Sequence, residues 1–174
     1  MSNAMTSKTH LTQAPSTAQM VGELAEALLG KNLQLVTAES CTGGGVAAAC
    51  TDLAGSSDWF ERGFITYSNA AKTELLGVDA ALIDAHGAVS EAVAQAMAQG
   101  ALAHAHAQVA LAVTGVAGPS GGSPAKPVGT VWFAWCILGR SHTQKMHFAG
   151  DRAAVRHAAV QHALQSLNTL LRSE

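Results

Sequence analysis

The sequence predicts an α/β protein: a three-layer α/β/α sandwich whose mixed, mostly parallel sheet is closed by a C-terminal antiparallel hairpin. Three observations lead there. Helical segments with a 3.6-residue apolar period alternate with short apolar runs through the N-terminal part of the chain. The run Gln108 to Thr114 is continuously apolar in its interior, as in a strand covered on both faces. Two strand-like runs near the C-terminus lie close enough to pair directly.

Each element has a local reason. Ser16 or Thr17 can cap a first helix in which Met20, Val21, Leu24, Ala25, Leu28 and Leu29 form one apolar face and Gly30 marks the end. Leu33 to Thr37 reads as a short buried strand, and Thr42 to Thr51 as a small-residue helix after the turn Ala38 to Gly44. Leu53 to Ser57 is a turn, and Trp59 to Tyr67 leads into a second strand that Ser68-Asn69 stops. Ala70 to Leu76 is a short helix carrying Lys72 and closed by Gly77, followed by a short helix and loop over Asp79 to Gly87. Ser90-Glu91 opens a long alanine-rich helix to about His106, and Gln108 to Thr114 is the third strand. Residues 115 to 129 hold too many glycines and prolines for regular structure, and a loop this long in a compact domain carries function or is disordered. Thr130 to Leu138 and Thr143 to Phe148 form the hairpin, joined at Gly139-Arg140-Ser141. Asp151 caps a last helix with a stripe of Val155, Ala159, Val160, Ala163, Leu164, Leu167 and Leu171.

The 174 residues suit one domain, residues 15 to 174, with residues 1 to 14 expected to be a tag remnant and a disordered start before and after Met5. A hydrophobic share of 48% against 13% charged residues excludes a disordered chain. A net charge of -2 gives no basic footprint for nucleic acid. The three cysteines, with no C-x-x-C spacing, fit neither a disulfide framework nor a zinc site. They suit a reducing cytoplasm, and no apolar run is long enough to span a membrane. Among the eight histidines, His104, His106, His157 and His162 read as surface helix residues, so no metal is expected.

Chemistry concentrates in three places. The turn Glu39-Ser40-Cys41-Thr42-Gly43-Gly44 offers a hydroxyl and a thiol before a helix, where unpaired amides can stabilise an oxyanion. Ser40 needs a base, and Lys72 can serve if burial lowers its pKa, with the chain's one tyrosine, Tyr67, to relay a proton or orient the amine. Each residue also has a structural role open to it: Ser40 as a helix cap, Lys72 as a solvated lysine, Tyr67 as a packing residue. Cys41 is a second nucleophile by type, but no motif places a histidine beside it. Gly43-Gly44-Gly45 lacks the dinucleotide pattern, and Gly118 to Lys126 lacks the phosphate-loop ending.

The stretches Ala38-Glu39-Ser40-Cys41-Thr42-Gly43-Gly44, Gly55-Ser56-Ser57, Tyr67-Ser68-Asn69-x2-Lys72, Gly87-Ala88-Val89-Ser90, Thr114-Gly115-x-Ala117-Gly118-Pro119 and Lys126-Pro127-Val128-Gly129-Thr130-Val131 resemble the C-terminal domain of the CinA family. The likeness runs from about residue 17 to 172, and Gly45 departs from it where a larger apolar residue is expected. It implies hydrolysis of the carboxamide of nicotinamide mononucleotide, with Ser40 as nucleophile, Tyr67 and Lys72 as the proton-handling pair, no metal and no cofactor. On that reading the amides of Thr42, Gly43 and Gly44 hold the oxyanion, and Glu39 faces the cationic ring. Thr114, Gly115 and the following loop meet ribose and phosphate, with Arg152 or Lys126 as a phosphate partner. The resemblance also implies a homodimer or an assembly of dimers. Two other classes stay open: a non-catalytic nucleotide-binding module, and a hydrolase of another small amide.

Overall fold

The computed structural model describes residues 14–174. The reading of residues 1–14 as a tag remnant and disordered start falls, but for residue 14, outside that range. The elements in order are α1 (Thr17–Gly30), β1 (Leu35–Glu39), α2 (Gly45–Thr51), β2 (Phe60–Ile65), α3 (Asn69–Leu76), α4 (Ala80–His86), α5 (Glu91–Ala103), β3 (Val109–Gly115), β4 (Thr130–Ile137), β5 (Arg140–His147) and α6 (Arg152–Ser173).

The sheet order is β2-β1-β3-β4-β5. β1 runs parallel to β2 and β3, whereas β3–β4 and β4–β5 are antiparallel, so β4 alone opposes the other strands. This is the expected mixed α/β/α sandwich. Because side chains alternate along a strand, the two sheet faces carry different residues. Leu35, Leu111, Val113, Phe133 and Trp135 meet α1, α2 and α6, while Val36, Ala38, Ala110, Ala112 and Ala134 meet α3, α4 and α5. The alanine face lets α5 lie close. A Cβ on Gly100 would sit 2.1 Å from the Leu76 carbonyl oxygen.

Several boundaries differ from the sequence reading. Leu33 belongs to the exit of α1, its amide donating to the Leu28 carbonyl at 2.9 Å, and β1 instead runs on to Glu39, which pairs with Ile65 and Val113. α2 begins at Gly45 rather than Thr42, because Gly43 and Gly44 have φ of 59° and 97°, which a right-handed helix cannot use. α5 stops at Ala103, where His104 caps it and its Nδ1 meets the Gly100 carbonyl at 2.8 Å. The hairpin turns at Leu138-Gly139, and β5 starts at Arg140 instead of Thr143. Both turn residues have positive φ, 48° and 85°, matching the twist of the flanking strands. His162 is half-buried, not a surface residue: its ring packs 4.9 Å from Phe133 and 5.9 Å from Phe148, centroid to centroid.

Among the described residues, no helix is long and apolar enough to cross a membrane.

Candidate active site

The parallel strands β1 and β3 lie side by side, and the connections leaving β1 and entering β3 cover opposite faces of the sheet. Ligand crevices in such sheets form beyond the carboxyl ends of the strands at this point. Ser40, the first residue after β1, sits there with its amide donating to the Val113 carbonyl at 2.9 Å. A cavity of about 360 Å³ opens over it, lined by Ser40, Tyr67, Asn69, Lys72, Thr114 and Arg152 together with backbone of the loop after β3. That is room for a small ligand.

Ser68 caps α3 by accepting from the Ala71 amide, which fixes the helix so that Lys72 points inward. Lys72 is 1% exposed. Its Nζ lies 3.1 Å from Ser40 Oγ, 2.9 Å from the Thr66 carbonyl and 3.4 Å from the Tyr67 carbonyl. Burial pulls its pKa below the ordinary lysine value. A neutral amine has two N–H donors and one lone pair. In that form, N–H bonds to the two carbonyls would leave the lone pair on the side of Ser40 Oγ.

Cys41 is not a competitor for the nucleophile role. It is buried, and burial pushes its thiol up to about 11, so it stays protonated near neutrality.

Glu39 lies elsewhere than expected. It is 1% exposed, and its carboxylate accepts from the Thr42 hydroxyl at 2.7 Å and from the amides of Gly44, Val46 and Ala47 at 3.1, 3.0 and 2.8 Å. It therefore caps α2 from within the turn instead of facing a ligand. The same bonds occupy amides expected to be free for an oxyanion. The Gly44 amide is taken by Glu39, and the Gly43 amide donates to the Ser40 carbonyl at 3.0 Å. Thr42, Gly43 and Gly44 do not line the cavity. Among the described residues, the amides of Cys41 and Thr42 have no hydrogen-bond acceptor.

Tyr67 is exposed, and its hydroxyl accepts from Arg152 Nη2 at 2.8 Å. Only its backbone carbonyl reaches the lysine. Arg152 Nη1 also donates to the Gly118 carbonyl at 2.8 Å, tying the loop after β3 to the start of α6. Thr114 is buried and donates to the Ala88 carbonyl at 2.9 Å, which joins the end of β3 to the segment before α5. Gly115 allows close packing at the end of β3, since a Cβ there would lie 2.8 Å from Val131 Cγ2 and 3.1 Å from the Cys41 sulfur. Lys126 stands apart, donating to the His86 carbonyl at 2.7 Å.

Sequence reasoning missed Arg156. Its Nε and Nη2 each lie 3.1 Å from a carbonyl oxygen of the nucleophile turn, those of Cys41 and Thr42 respectively. The available signal was its spacing: Arg156 is one helical turn after Arg152, on the same side of α6.

The model of the CinA C-terminal domain matches residues 17–171. The chain belongs to the CinA C-terminal domain family. Among curated relatives, the chain is 52% identical over 150 residues to nicotinamide-nucleotide amidohydrolase PncC of Escherichia coli K12, covering 86% of this chain and 91% of that protein. It is 56% identical over 151 residues to the protein of the same name from Enterobacter agglomerans, covering 86% and 90%. A crystal structure of a CinA superfamily protein from Enterobacter cloacae superposes with a TM-score of 0.91 at 36% identity, over 97% of this chain and 99% of that one. This CinA-family chain thus shares both fold and sequence with its relatives along nearly its whole described length.

Proposed function

We propose that the chain hydrolyses the carboxamide of nicotinamide mononucleotide, releasing ammonia and nicotinate mononucleotide, a step that returns a pyridine nucleotide to cofactor synthesis. The observation that carries this reading is the contact between buried Lys72 and Ser40 at the floor of a cavity, in a chain similar to proteins named nicotinamide-nucleotide amidohydrolase.

The residues support a two-stage acyl transfer. Neutral Lys72 takes the Ser40 proton as Oγ bonds to the carboxamide carbon. The carbonyl π electrons move to oxygen, and unpaired amides after Ser40 stabilise that oxyanion. The lysine ammonium then protonates the amide nitrogen, the carbon–nitrogen bond breaks, and ammonia leaves with an acyl-Ser40 ester behind. Water, losing its proton to Lys72, adds to the ester carbon, the acyl carbon–Oγ bond breaks to release nicotinate mononucleotide, and the proton on Lys72 passes to Ser40 Oγ to restore the hydroxyl. Arg152 and the loop amides beyond Gly115 supply the positive surroundings a phosphate needs.

Ammonia release from nicotinamide mononucleotide tests the proposal. Ser40→Ala is expected to lower kcat by about 10⁴-fold or more, and Lys72→Ala by about 10² to 10⁴-fold, with melting temperatures showing an intact fold. Ammonia from a different small amide only would change the substrate class. Nucleotide binding without turnover by the parent protein would favour a regulatory module.

A further inference from the structure

Arg156 lies on the far side of the nucleophile turn from the cavity. It lines a separate groove with Thr42, Asp52, His157 and Val160, and it is not among the residues around Ser40. It cannot act by touching a ligand over Ser40. What it touches is the backbone of the two residues that follow the nucleophile.

Peptide planarity gives those contacts a direction. In a trans peptide the carbonyl and the following N–H point opposite ways. The bond from Arg156 Nε to the Cys41 carbonyl therefore turns the Thr42 N–H away from the guanidinium. The bond from the Gly43 amide to the Ser40 carbonyl turns the Cys41 N–H away from Gly43. Arg156 Nη2, on the Thr42 carbonyl, fixes the peptide that supplies the Gly43 amide. Three peptide planes in succession are thereby held, and the two N–H groups left without acceptors are those of Cys41 and Thr42. Both guanidinium bonds are charge-assisted, and a bidentate fork resists rotation in a way one bond cannot.

We infer that Arg156 is a positioning residue: by holding the Thr42 carbonyl, and through it the Gly43 amide that fixes the Ser40 carbonyl, it aims the Cys41 amide, at the cavity beside Ser40, as an oxyanion donor for acyl transfer. This rests on the acyl-transfer reading given above and assigns its charge-stabilising device to a residue 116 positions from the nucleophile in sequence.

The test compares the parent with Arg156→Ala and Arg156→Lys. A misaimed donor lowers kcat while leaving ground-state binding alone. Arg156→Ala is expected to lose about 10² to 10³-fold in kcat with KM within about twofold. Arg156→Lys, able to hold one carbonyl at a time, should fall between, and its retained melting temperature separates this effect from unfolding. Equal kcat in all three proteins, or a rise in KM alone, overturns the inference. A second measurement does not depend on the substrate. A fluorophosphonate that captures serine nucleophiles should label Ser40 more slowly in Arg156→Ala than in the parent, and labelling at the parental rate overturns the inference. If the parent labels at Ser40 but releases no ammonia from nicotinamide mononucleotide, the substrate assignment fails and the labelling rates still decide the role of Arg156. A parent that neither labels nor turns over removes acyl transfer and overturns both.

Discussion

The Lys72 Nζ lies 3.1 Å from the Ser40 Oγ, although the two residues belong to different elements and stand 32 positions apart. The contact joins a group that costs free energy to bury as a cation with a hydroxyl that needs a base. In the proposed acyl transfer, burial of the lysine and activation of the serine are two aspects of one arrangement.

That arrangement fixes a pH dependence. Burial lowers the Lys72 pKa in the folded chain, and only the neutral amine accepts a proton. Activity should fall as pH is lowered through the depressed value and level off above it, seen as an acid limb in the kcat profile. Stability follows the same sign. Between the depressed folded value and about 10.4, the unfolded chain binds more protons, so stability rises with pH across that window. Denaturation at several pH values should show this slope in the parent and a reduced slope in Lys72→Met.

Glu39→Gln should destabilise the fold. The carboxylate is an acceptor for one hydroxyl and three amides, and an amide side chain presents NH₂ where an acceptor is required. A loss of about 2 kcal/mol is expected, which lowers Tm by about 6 °C. An unchanged melting curve would contradict the capping role.

Tyr67→Phe separates two roles. If the phenol carried the reaction's proton, kcat would fall by about 10² to 10⁴-fold. The hydroxyl instead accepts from Arg152. The expected outcome is a severalfold rise in KM with kcat reduced less than about tenfold, measured by steady-state ammonia release.

Two helical glycines should respond to alanine with opposite signs. Around Gly22 in α1 there is nothing within 4 Å of a new Cβ, so Gly22→Ala should gain about 0.5 to 1 kcal/mol from helix propensity. At Gly100 the Cβ meets the Leu76 backbone, and Gly100→Ala should lose about 1 to 3 kcal/mol as α3 and α5 move apart. Urea denaturation of both variants checks the pair.

The architecture was legible in the sequence because its periods are strong. The apolar stripe of α6, the interior of β3 and the cap at Asp151 all stand where local patterning puts them. The ends of elements were less legible. The hairpin turn requires positive φ at Leu138, a conformation leucine rarely adopts, so composition pointed beyond it to Gly139-Arg140-Ser141. Within the candidate site, a buried acidic residue reads from sequence as a ligand for a cation. Only the fold of the turn shows that the Glu39 carboxylate already has four donors. Arg156 was legible only through its spacing from Arg152, because nothing local connects it to Cys41 and Thr42.

The hold of α6 on the nucleophile turn spans 115 and 114 residues of sequence. Contacts of such separation are entropically costly to close, so they form after local structure rather than with it. The β1–β3 pairing and the Ser40–Val113 bond can be in place while Ser40 still lacks the guanidinium behind it. Any event that loosens α6 from the sheet, whether heat, a core substitution or synthesis not yet past Arg156, leaves Ser40 present but its surroundings unset. Loss of activity on gentle heating should therefore precede loss of the sheet.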